Sequence, residues 1–215
     1  MYPQSMRKQA DLSLPMGPYD RHLSIRYSHS TRGSSNVIPQ RIVLSGPGGV
    51  GKTTLAQTLN RKLGHPHVDL DDVFCRDIQN IREFIREKGY AAYARRNGRL
   101  LLEILSGTPR PVILSLSSGV LSHDMEAPMR SELVTAIATD AIVLLIVPHV
   151  SDEIAAQIVA TRQVSRGYGL SYEPERLKYL RRIREYRQLG FSQCVVPEIT
   201  PHSVEELIKQ ISACP

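Results

Sequence analysis

The stretch "RIVLSGPGGVGKTTLAQTLNRKLG", Arg41 to Gly64, decides the fold. A short β-branched run, Ile42 to Leu44, feeds directly into "GPGGVGKT", Gly46 to Thr53, which satisfies the pattern G-x-x-x-x-G-K-T. Leu55, Leu59 and Leu63 then recur at helical spacing, with Gly64 as a stop. Strand, glycine loop and helix in that order form a cradle for a polyphosphate. The glycines let backbone N–H groups turn inward, and the helix start adds the positive end of its dipole. The nucleotide-binding set expected on this basis is Gly46, Gly48, Gly49, Val50, Gly51, Lys52, Thr53 and Thr54. In it, Lys52 reaches the outer phosphates and Thr53 offers its hydroxyl to Mg²⁺.

The chain has 215 residues, enough for one ordinary core with an appendage. Hydrophobic residues make up 41% and charged residues 22%, and no uncharged apolar run approaches a membrane span, so a water-soluble globular domain without a membrane partner is expected. Three cysteines, odd in number and without His at zinc-finger spacing, argue against a disulfide framework or a metal cage and fit a reducing cytoplasm. The net charge of +6 is compatible with a phosphate-handling enzyme as well as with nucleic acid. Much of that excess lies in residues 1–40, where Arg7, Lys8, Arg21, Arg26 and Arg32 outnumber Asp11 and Asp20. Scattered Pro, Gly and Ser without an apolar period mark 1–40 as a flexible basic tail, and 41–215 as the folded domain. The tail shows no helix-turn-helix pattern, which weighs against nucleic acid as a partner.

Beyond the loop, "PHVDLDD" reads as a second strand with acids at its end, and Asp72 as the candidate helix cap there. "IQNIREFIREKGYAAYARRNGRLLLEILSG" reads as two helices broken near Gly89. "PVILSLSSG" and "AIVLLIVP" are continuous apolar runs, as expected for parallel strands covered on both faces, and "QCVVP" supplies a last short strand. A closing helix is expected from Ser203 to Ile211, with Ser203 as N-cap and Glu206 completing a capping box. Strands alternating with helices predict an α/β fold, a three-layer sandwich around a mostly parallel central sheet.

The guanine-reading motif N-K-x-D is absent, and acids follow soon after the loop helix. From Arg41 to Ile211 the order of motifs resembles the shikimate kinase family, small P-loop kinases of the nucleoside monophosphate kinase class. The resemblance implies ATP and Mg²⁺ as cofactors, a monomer, and transfer of the γ-phosphate to a hydroxyl of shikimate or a related small hydroxylated metabolite. "DLDD" is similar to the family's D-x-D, which implies that Asp69 serves the metal together with Thr53, and that Asp71 binds the acceptor hydroxyl and acts as general base. "SLSSGV" lies where the family has three glycines, so Ser117, Ser118 and Gly119 would floor the acceptor pocket. "ATRQVSRGYGL" resembles the family's lid, with Arg162 on the adenine side and Arg166 as the catalytic lid arginine beside Lys52 and Asp71. "RIREY" is similar to R-x-x-x-Y, which makes Arg182 a binder of the substrate carboxylate.

Four departing positions accompany these matches. Tyr90, Ala94 and Asn97 stand where the family has Glu, Arg and Glu, and its arginine there clamps the substrate carboxylate. Arg95 is one residue along, about 100° around a helix, and is read with Arg96, Arg181 and Arg184 as surface charge. Gly167 replaces the proline after the lid arginine, which predicts a looser lid. A non-catalytic nucleotide- or metabolite-binding regulatory module is the alternative that an eroded acceptor site leaves open.

Overall fold

The computed structural model describes residues 41–139 and 141–213, so the expected tail at 1–40 lies outside the described residues. Five strands, β1 Arg41–Ser45, β2 His67–Asp69, β3 Val112–Ser115, β4 Ile142–Val147 and β5 Ser192–Val195, form one sheet in the order β2-β3-β1-β4-β5. Every pairing is parallel, with Leu44 opposite both Ser115 and Leu144, and Ser115 opposite Asp69. The helices are α1 Lys52–Leu63, α2 Leu70–Asp77, α3 Ile81–Lys88, α4 Tyr90–Gly107, α5 Ala127–Ala138, α6 Asp152–Val164, α7 Tyr172–Arg187 and α8 Pro201–Ala213.

Chain direction places the helices. From β1 the chain crosses over β3 to reach β2, whereas from β3 it crosses over β1 to reach β4. Right-handed crossovers running in opposite directions put α1 on one face of the sheet and α5 on the other. Accordingly α1 packs on β1, β2, β3 and α8, while α5 packs on β4 and α4. With both faces covered, all five residues of β1 are buried, including Arg41, whose guanidinium donates to the Leu105 carbonyl at 2.8 Å. The reversal of crossover direction between β1 and β3 opens a crevice at their carboxyl ends, where α/β sheets take their ligands.

Two sequence expectations are corrected at helix starts. The acids after β2 do not extend the strand: Asp71 and Asp72 lie in the first turn of α2, and Asp69, not Asp72, is its N-cap. Asp69 Oδ1 accepts from the N–H groups of Asp71 and Asp72, at 3.0 and 3.4 Å. At the other end of the chain, α8 begins two residues before Ser203. Thr200 and Ser203 cap it reciprocally, Thr200 N–H donating to Ser203 Oγ at 2.9 Å and Ser203 N–H to Thr200 Oγ1 at 3.1 Å. Pro201 at the first helical position, with its φ already helical and no N–H to satisfy, moves the start forward. The break at Gly89 (φ 80°) and the stop at Gly64 (φ 69°) fall where the spacing predicts them.

Thr200→Ala should therefore lower stability by about 1 kcal/mol in urea melts. Glu206→Ala, which removes only an exposed pair with Lys209, should stay within about 0.5 kcal/mol.

Candidate active site

The loop after β1 is built from glycine because neighbouring atoms leave no room for a side chain. A Cβ on Gly46 (φ 130°) would stand 2.9 Å from the Ile146 carbonyl oxygen. Gly51 (φ 99°) enters α1 in the left-handed region. Lys52, the first residue of α1, is buried and folds back so that Nζ donates to the carbonyls of Gly46 and Pro47, at 2.8 and 2.9 Å. Desolvation by burial brings its ammonium down to about 8, against the pull of Asp71 and Asp69.

Thr53 Oγ1 donates to Asp69 Oδ2 at 2.7 Å, so two oxygen ligands of the kind Mg²⁺ takes stand side by side at the cleft. The cleft has a volume of about 260 Å³. It is walled by the glycine loop with Lys52, Thr53 and Thr54, by Asp69 and Asp71, by Leu116 and Ser118, and by Gln163 and Arg166. Among the described residues no cluster of three or more His, Cys, Asp or Glu side chains could hold a metal alone. A hard cation here would share its coordination with phosphate oxygens.

Opposite the glycine loop lies the turn after β3. Ser117 Oγ donates to Asp71 Oδ1 at 2.5 Å, and the Tyr93 hydroxyl approaches the same oxygen at 3.4 Å. Burial raises the Asp71 carboxyl above its ordinary value, with Asp69 adding to the rise and the Ser117 bond and Lys52 opposing it. Ser118 Oγ accepts from Arg182 at 2.9 Å and lies 3.5 Å from the position of a Cβ on Gly48. Gly119 is hemmed in by Tyr90, whose hydroxyl oxygen sits 2.4 Å from where a Cβ would be. Arg182, buried on α7, further donates to Tyr90 Oη at 3.2 Å and to Asp124 Oδ2 at 3.3 Å. Asp124 also receives Arg181 at 2.9 Å, which makes that surface arginine part of the same network.

The late basic segment divides differently from its sequence reading. Arg162 and Gln163 belong to α6, and only residues 165–171 form the connecting loop. Val159, Gln163 and Arg166 are spaced four and three apart. The first two close on Gly49, with Val159 Cγ1 3.0 Å and Gln163 Cγ 3.1 Å from its Cβ position, and Arg166 lines the cleft. Arg162, off that stripe, donates to the Pro197 carbonyl at 2.8 Å. Pro197 belongs to the β5–α8 loop whose Ile199 Cδ1 comes within 3.1 Å of the Gly51 Cβ position. Tyr168 ties the loop after Arg166 to α3. Flanked by Gly167 (φ 72°) and Gly169 (φ 69°), its ring lies 4.4 Å below the Arg82 guanidinium of α3. Gln163, Tyr90 and Asp124 were not singled out as site residues from sequence. The Val159–Gln163 spacing was the available signal for the first, whereas the other two depend on contacts between distant segments.

Two outcomes test this geometry. Between about pH 8 and pH 10 the Lys52 amine loses its proton in the ligand-free protein, and a polyphosphate placed against it draws the proton back. Nucleotide binding at about pH 9 should thus take up a proton, seen as a calorimetric enthalpy that varies with buffer ionisation enthalpy, and Lys52→Met should remove that dependence. Gly119→Ala should cost about 1–3 kcal/mol through collision with the Tyr90 hydroxyl. Adding Tyr90→Phe should recover part of this loss in a double-mutant cycle.

The shikimate kinase family model matches residues 48–212. Shikimate kinase of Enterococcus faecalis is 36% identical over 83 residues, 38% of this chain and 48% of that protein. That of Chlorobium chlorochromatii is 34% identical over 102 residues, 47% and 50% of the two chains. The chain thus spans about half the length of these curated relatives. Among solved structures, shikimate kinase from Bacteroides thetaiotaomicron superposes with a TM-score of 0.59 at 20% identity, over 80% of this chain and 95% of that one. Shikimate kinase from Acinetobacter baumannii in complex with shikimate does so with a TM-score of 0.59 at 22% identity, over 82% and 92%. The solved structures share the fold, and the family match runs from the glycine loop to the last helix: the chain belongs to the shikimate kinase family.

Proposed function

We propose that the protein is an ATP-dependent small-molecule kinase that moves the γ-phosphoryl group of ATP to a hydroxyl of shikimate or a related hydroxylated metabolite. The observation that carries this reading is the position of Asp71. Its half-buried carboxylate lies across the cleft from the glycine loop, at a site lined by Lys52, Thr53 and Asp69 on one side and by Ser118 and Arg166 on the others. Family membership and the shikimate complex of the Acinetobacter baumannii relative support the same acceptor chemistry.

In this reading the glycine-loop N–H groups, with Gly46, Gly48, Gly49, Val50, Gly51 and Thr54 shaping the turn, hold the β-phosphate. Lys52 exchanges its two carbonyl partners for phosphate oxygens. Thr53 and Asp69 would hold Mg²⁺, which when bound neutralises charge on the β- and γ-phosphoryl oxygens. Asp71 accepts the proton of the acceptor hydroxyl as that oxygen bonds to the γ-phosphorus. The bond from phosphorus to the bridging oxygen breaks, and its electron pair leaves on ADP. The raised affinity of Asp71 for a proton suits that task. Arg166, on the loop beside the cleft, compensates charge on the transferred group, and Arg162, tied to the β5–α8 loop, bounds the base-binding side. Ser117, Ser118, Gly119 and Arg182 form the acceptor end.

A coupled ADP-release assay with ATP and Mg²⁺, with and without shikimate, tests the reading. Acceptor-dependent release is expected, with Lys52→Ala abolishing it and Asp71→Asn lowering kcat by about 10²–10⁴ while ATP still binds. ATP binding without stimulation by any hydroxylated acceptor would overturn it.

A further inference from the structure

A carboxylate can take a proton from an acceptor hydroxyl only if one of its oxygens stays turned toward it. Asp71 lies in the first turn of α2, a helix of eight residues, and is half-buried. Lys52 and Arg166 line the same cleft, and the Lys52 charge attracts the carboxylate. With two rotatable bonds and two cations nearby, the side chain would swing toward them unless another bond opposed it.

The opposing bond comes from behind the cleft. Ser117 Oγ donates to Asp71 Oδ1 at 2.5 Å, and the Tyr93 hydroxyl reaches the same oxygen at 3.4 Å. The shorter contact is the stronger of the two. Neither donor lines the cleft, and Ser117 is only 2% exposed, so what this serine contributes to the acceptor end it contributes through Asp71. Oδ2 accepts no hydrogen bond among the described residues, which leaves it as the open oxygen of the pair.

Both donors are themselves anchored outside α2. Leu116 N–H donates to the Leu44 carbonyl at 3.0 Å and Val120 N–H to the Ser117 carbonyl at 3.2 Å, which pins the backbone around the serine to the end of the sheet. Tyr93 belongs to α4. Its ring packs on Phe74 of α2 with centroids 5.1 Å apart, and its hydroxyl receives the Asn97 amide at 3.4 Å. A glycine or alanine at 117 would keep the turn and lose the donor.

We propose that Ser117 is a positioning residue for phosphoryl transfer: its hydroxyl holds Asp71 Oδ1 against the protein, so that Oδ2 is the oxygen presented to the acceptor hydroxyl. The proposal rests on the phosphotransfer reading above and names its proton-accepting atom. Oδ2 takes the proton as the acceptor oxygen bonds to phosphorus, ADP leaves with the electron pair of the broken bond, and Ser117 keeps its own proton.

The test sets steady-state kinetics of ADP release beside crystal structures of the variants. Ser117→Ala should lower kcat about tenfold, while KM for acceptor and ATP and the calorimetric affinity for ATP stay within about twofold. Its structure should show the Asp71 side chain rotated or in more than one rotamer. Tyr93→Phe, at the longer contact, should cost less than about threefold. In an Asp71→Asn background Ser117→Ala should barely change the residual rate, whereas a serine that served only the fold would subtract its full factor again. An unchanged kcat in Ser117→Ala, an Asp71 side chain still in its single original rotamer, or a fully additive loss in the double variant would each overturn the positioning role. A larger loss from Tyr93→Phe than from Ser117→Ala would overturn the choice of Ser117 as the holding group. No stimulation by any acceptor, in protein shown to bind ATP, would overturn the kinase reading and the role in transfer together, and the Asp71 rotamer in Ser117→Ala would still decide whether the serine holds it.

Discussion

One carboxylate, that of Asp69, ties together the elements on which the site depends. It closes β2, caps α2 through the N–H groups of Asp71 and Asp72, and accepts the Thr53 hydroxyl from the first turn of α1. The first contact fixes where the strand stops and the second fixes how the helix leaves it, so the direction of Asp71 follows from both. The third holds the glycine-loop side of the cleft in register with the side that carries Asp71. A buried carboxylate accepting three hydrogen bonds is satisfied without a cation, which keeps the pair of hard oxygens available to one.

What the sequence made legible and what it hid divide along a physical line. The glycine loop was readable because Gly46 and Gly51 adopt backbone angles that other residues resist, so the constraint is written in residue type. β1, β3 and β4 were readable because strands buried on both faces carry continuous apolar runs. The helix α2 was not, since its eight residues are barely two turns and its acids resembled a strand end. The cap of α8 was placed a turn late because Thr200 and Ser203 both qualify, and Pro201 decides between them only once its position at the helix start is known. Helix α5 had no strong apolar stripe to announce it, with Leu133 and Ile137 its two buried residues.

The candidate site shows the same division. Lys52, Thr53, Asp69, Asp71, Ser118 and Arg166 converge on one cleft, as their motifs imply, because each lies at or just beyond the end of a strand or helix that the fold brings to the β1–β3 crevice. The electrostatic state of Arg182 was not legible. It depends on Asp124 and Tyr90, which are 58 and 92 residues away along the chain and carry no spacing that links them to it. Spacing identifies which residues approach a ligand, whereas compensation of their charge is a property of the folded neighbourhood.

The contact of Tyr168 with Arg82 sets how firmly the loop at 165–171 is held in place beside the cleft. An exposed cation–π contact contributes about 0.5–1 kcal/mol, which corresponds to a population ratio of roughly two to five. The glycines at 167 and 169, with nothing within 4 Å of their Cβ positions, offer little resistance to swivelling. The loop is therefore held by a light clasp, and a ligand in the cleft would supply most of the free energy that fixes its position.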